Sequence, residues 1–147
     1  MTAEDVMEIL RGLDAGSVAA AGASYGGAAS ALETAAERMA QHTRTLSEHW
    51  DGTAADAALA SLRLSRERAL DGAARAKRTG AALTWLGTEV LPAFRSLPDP
   101  AGQAGAHAVA SGYLAELNGH LTEVADALLL DRTAPGSPAL RPSAVLI

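Results

Sequence analysis

Apolar residues recur every three or four positions along most of this chain, the spacing of one helix face. Val6, Ile9 and Leu10 mark a short helix over about 3–12, and Thr2 followed by Asp5 has the form of a capping box ahead of it. Gly12 and the Asp14-Ala15-Gly16-Ser17 cluster then read as a break. From Ser17 to about His49, the residues Val18, Ala21, Tyr25, Ala28, Leu32, Ala35, Met39 and Leu46 form a heptad-like seam. A helix of that length runs about 50 Å. Trp50-Asp51-Gly52 interrupts it, with Gly52 suited to the left-handed conformation that ends helices. Thr53-Ala54-Ala55-Asp56 has the form of a second capping box. A stop followed so closely by a start predicts a tight helical hairpin, and the bulk of Trp50 is expected to cover the open end of its seam.

The return helix carries Leu59, Leu62, Ala69, Ala73, Ala76, Leu83, Val90, Phe94 and Leu97 at the same steps, with Gly80 and Gly87 on the seam. Pro92 reads as a kink or a break after Leu91, and the spacing leaves the two open. Leu97-Pro98-Asp99-Pro100 is a boundary, with Asp99 suited to an N-cap and Pro100 to a first turn. A third helix is predicted over about 100–130, with Ala106, Val109, Tyr113, Leu117, Leu121, Val124 and Leu128 as its stripe. Gly102, Gly105 and Gly112 weaken its first half. Residues 132–147 contain Pro135, Pro138 and Pro142 and read as a flexible tail, although Ala144-Val145-Leu146-Ile147 is apolar enough to dock. The expected fold is all-α: an elongated antiparallel hairpin over 17–91 turning at 50–53, joined by a third long helix in one bundle-like domain over 1–131.

Composition sharpens this. About a quarter of the 147 residues are alanine and only 3% are aromatic. The core must therefore be thin, with helices approaching closely over small side chains. The absence of cysteine excludes disulfides, thiolate metal sites and a cysteine nucleophile. The uncharged stretch from Ala15 to Leu32 is long enough to span a membrane, but its Ala, Gly and Ser gain little in lipid, so no stable span is expected. The net charge of −5 argues against a nucleic-acid binder. The basic run Arg63, Arg66, Arg68, Arg75, Lys77 and Arg78 has no aromatic residue on which bases could stack. These bases face the acids Glu116, Glu123, Asp126 and Asp131 of the third segment in sign, which could set a register, or both could be solvated faces.

Little in the sequence suggests catalysis. His42 and His49 are seven residues apart, about 10 Å along a helix, and cannot chelate one zinc ion unaided. There is no phosphate loop after a strand, no nucleophile elbow and no metalloprotease signature. No catalytic residue, metal site or cofactor is expected.

The Trp50-Asp51-Gly52 triplet, about fifty residues into an Ala-rich, Cys-free helical chain and at a hairpin turn, resembles the WXG family of small type VII (ESX) secretion substrates. The likeness covers about residues 17–91, with Trp50 and Gly52 on the motif and Asp51 and Thr53 completing the turn. The third helix is closer to the PPE-like relatives. The resemblance implies a non-enzymatic protein that forms helical-hairpin homodimers or heterodimers with a small helical partner. It further implies export by a membrane ATPase of the type VII machinery, without a cleaved signal, to the cell surface or medium. Val18, Tyr25, Leu32, Met39, Leu46, Leu59, Leu62 and Leu83 are the expected interface. The segment Met1–Leu13 lacks the basic start and apolar centre of a secretory signal. One departure stands: the family's export signal places an acid four residues after a tyrosine, whereas Tyr113 has Glu116 three residues on and Leu117 at the fourth. The alternative is a cytoplasmic helical scaffold or regulatory bundle unrelated to secretion.

Overall fold

A computed structural model describes residues 1–130; the tail expected over 132–147 lies outside the described residues. The protein is all-α. In chain order it has α1 (Ala3–Arg11), α2 (Ala15–His49), α3 (Thr53–Trp85), a π turn (Leu86–Val90), α4 (Leu91–Arg95) and α5 (Ala106–Leu130). The chain divides into two compact units. One comprises Met1–Ala23 with the described residues from Ala81 onward; the other is Ser24–Gly80.

The first unit holds the bulky core. The capping box forms as its sequence suggests: the Asp5 amide donates to the Thr2 hydroxyl, and the Thr2 amide to the Asp5 carboxylate. Val6, Met7 and Leu10 of α1 are fully buried, while Ile9 is left 48% exposed. They meet Leu86, Val90, Leu91 and Phe94 from the π turn and α4, and Ala110 and Leu117 from α5. The His120 ring stands edge-on to both Trp85 (5.9 Å, 78°) and Phe94 (6.1 Å, 70°), fixing α5 to the same cluster.

Four local expectations are corrected, and the choice left open at Pro92 is resolved. Asp14 starts a helix and does not belong to a break: its carboxylate accepts from the Ser17 amide (2.9 Å) and hydroxyl (2.6 Å), so α2 begins at Ala15, two residues earlier than expected. Pro92 does not end its helix, which continues to Arg95. A proline lacks an N–H and crowds the carbonyl four residues back. The helix accommodates this by widening just before it, where the Leu91 amide reaches five residues back to the Leu86 carbonyl. The third helix begins at Ala106, not near 100, because Gly102 (φ +82°) and Gly105 (φ +80°) are left-handed and cannot continue a right-handed helix. Asp99 caps no helix; it binds the Ala101 amide (3.0 Å) and the Arg11 guanidinium (2.6 Å). Finally, the stripe of α5 is shifted. Ala110, Leu117 and Val124 are buried, whereas Val109 and Leu121 are 38% and 41% exposed.

The second unit is a helical hairpin of α2 and α3 residues. Its seam runs over small side chains, with Ala29, Ala36, Ala55, Ala73 and Gly80 buried. Leu32 lies against Gly72, where an added Cβ would stand 3.3 Å from Leu32 Cδ1. Lys77 pairs with Glu33 across the two helices (2.5 Å).

Gly87 sets the tightest contact. A Cβ there would stand 2.5 Å from the Ala19 nitrogen and 2.8 Å from the Ala15 carbonyl oxygen, so the π turn rests directly on the backbone of α2. Gly87→Ala must push two backbones apart. It is expected to lower the urea unfolding free energy by about 1–3 kcal/mol, the usual range for overpacking. An unchanged midpoint would show that the turn can move away freely.

Three carboxylates of this unit lie below their ordinary value of 3.8. The Thr2 amide and hydroxyl lower Asp5, the Ser17 hydroxyl and amide lower Asp14, and the Arg11 guanidinium and Ala101 amide lower Asp99. Each therefore binds its proton more readily when unfolded. Its contribution is complete above the unfolded value and is lost as pH falls through the lower folded value. Acid titration of the melting temperature should show this loss below about pH 4, and Asp99→Asn should shrink it; an identical acid limb in the variant would assign no part of it to Asp99.

Candidate functional site

Two features of the second unit stand out: the hairpin turn and an outer row on α2. The turn is built from the end of α2, where the Trp50 amide still reaches the Leu46 carbonyl (2.9 Å). Gly52 then takes φ +95°, a conformation open to glycine at little cost, with no atom within 4 Å of where a Cβ would be. Gly52, not Thr53, holds the cap position of the next helix. Thr53 is already helical, and the Gly52 carbonyl accepts from the Asp56 amide (3.0 Å). Asp51 is exposed.

Trp50 does not close the end of the seam as expected. It is 44% exposed.

The expected interface residues divide. Leu59 is buried in the hairpin seam, Leu62 is half-buried, and Val18 and Leu83 are half-buried in the first unit, Val18 against its core. The α2 row is different. Tyr25 and Leu46 are 45% and 37% exposed, with Leu32 and Met39 half-buried between them. The seam of α2 is a separate line: Ala15, Gly22, Ala29 and Ala36, each seven residues from the last, are all buried. At about 100° per residue, the Tyr25–Leu46 row lies only about 50° around the helix from that line.

Chemistry is sparse. Among the described residues, no three or more His, Asp or Glu side chains converge as a metal site. His42 and His49 are exposed, and His49 Nδ1 lies 2.9 Å from the Thr45 carbonyl oxygen. No described helix is long and apolar enough to cross a membrane. Sequence reasoning missed the cluster of Trp85, Phe94 and His120 because its members share no single helical spacing.

Comparison with family models, with curated proteins and with solved structures returned no match.

Because Trp50 is exposed, Trp50→Ala should change stability by no more than about 0.5 kcal/mol, the usual range for surface substitutions. Thermal unfolding checks this. A loss of several kcal/mol would mean that the indole is held in the folded chain.

Proposed function

We propose that this chain is a non-enzymatic WXG-like protein of a type VII secretion system, a secreted substrate or co-secreted partner that works by helix–helix association. The observation that carries the reading is the exposed Trp50 at a Trp-Asp-Gly turn between helices of 35 and 33 residues. A tryptophan inside the fold would be explained by stability alone. One left exposed beside Leu46, at the end of an apolar row, is better explained by a partner, since aromatic anchors dominate such contacts.

One observation favours the second reading, a cytoplasmic helical scaffold. Tyr113, the tyrosine nearest in pattern to an export signal, packs against the core of the first unit and has Glu116 at the wrong distance. An export receptor would find it half-covered. A co-exported partner carrying the signal reconciles the two features.

The test is an immunoblot of culture filtrate and cell lysate from the native host, with and without its type VII ATPase. Protein in the filtrate that disappears with the ATPase is the expected outcome. Protein confined to the lysate in both strains would establish the scaffold reading instead.

A further inference from the structure

We infer that α2 is a jointed helix: it opens locally at Ser24–Ala28 and can bend there while the seam beyond it stays closed. Such a joint requires nothing of the chain's partners or of its export.

Two observations meet at this stretch. Ala23, Ser24, Tyr25, Gly26, Gly27 and Ala28 are consecutive and all exposed. A run of that length passes through about 1.7 turns, so every side of α2 is open there. Exposure all round is ordinary where a helix frays at its end; here it lies in the interior of a helix of 35 residues. Packing of a buried face supplies most of a helix's stability in a protein, and across this turn there is none. Opening it uncovers no buried side chain and breaks only backbone hydrogen bonds, which places it at the low end of local stability.

The second observation is the glycine pair. In a helix interior glycine is less favourable than any residue but proline. It is required where a neighbour leaves no room for a Cβ, as at Gly87, or where φ is positive, as at Gly52. Neither reason holds at Gly26 or Gly27: a Cβ on either would meet nothing within 4 Å, and neither has a positive φ. What the pair supplies is backbone freedom. Sharp bends in helices fall at clusters of glycine and serine, and Ser24 stands two residues before the pair. Gly112 and Gly119 of α5 also have open space at the Cβ position, but packed neighbours hold the helix through them: half-buried Ser111 and Tyr113 flank Gly112, and half-buried His120 follows Gly119. The turn around Gly26 and Gly27 has no such neighbours, and α2 is next held at the buried Ala29.

Hydrogen exchange on the full chain, read by mass spectrometry, tests the joint. Amides 26–31, whose helical bonds cross the stretch, are expected to exchange at least about ten-fold faster than amides 35–40 around the buried Ala36. The double substitution Gly26→Ala and Gly27→Ala should slow the first stretch about twenty-fold, the combined effect of replacing two helix-interior glycines, and leave the second within about two-fold. Chymotrypsin gives a second readout, since it cuts after Tyr25 only when the helix around that residue opens, and the double variant should be cut more slowly in the same proportion. Equal protection of the two stretches in the native chain, equal slowing of both in the variant, or an unchanged rate of cutting after Tyr25 would each overturn the joint, because α2 would then open only together with the seam.

Discussion

Gly87 resting on the backbone of Ala15 and Ala19 is the contact to which the packing of the first unit answers. Backbone-to-backbone approach at this distance admits no side chain, so the position is fixed in identity as well as in place. The π turn brings Leu86 and Gly87 to the buried side together, and then Val90 and Leu91 together. The helix thereby widens its buried arc where α1 and α5 must be covered. Pro92 follows two residues after this wider turn, and its helix continues to Arg95. Leu86, Val90 and Phe94 can then close around Val6 and Leu10 of α1.

The second unit is organised on the opposite principle. Apart from Leu59, its seam buries alanine and glycine, each of which removes little apolar surface from water; a methylene contributes only about 0.8 kcal/mol. Close approach offsets this, since small side chains let the two helices come together along their length. Of the larger apolar residues of α2, Leu32 and Met39 are half-buried and Tyr25 and Leu46 are left exposed. A hairpin built this way keeps small residues inside and leaves Tyr25 and Leu46 exposed.

The helical class, the hairpin turn and the capping box at Thr2 were legible in the sequence because each depends on local spacing and on a few residues with strong backbone preferences. The choice of buried line on α2 was not. Ala15, Gly22, Ala29 and Ala36 recur every seven residues, and so do Val18, Tyr25, Leu32, Met39 and Leu46. Hydrophobicity favours the second line, and steric closeness selects the first. Which one wins depends on the facing residues of α3, which no local window contains. The same limit hid Asp99, whose partner Arg11 is 88 positions away. It also hid His120, which meets aromatic rings from two other helical segments.

The π turn also makes the spacing of this chain intolerant in an unusual way. A single-residue deletion between Leu86 and Val90 would leave a helix more regular by every local measure. It would also rotate everything beyond by about 100° relative to α3, carrying Leu91 and Phe94 off the core. Natural length variation in this protein should therefore fall in the Pro98–Gly105 connection and spare a turn whose irregularity keeps the two ends of one helix in phase with different neighbours.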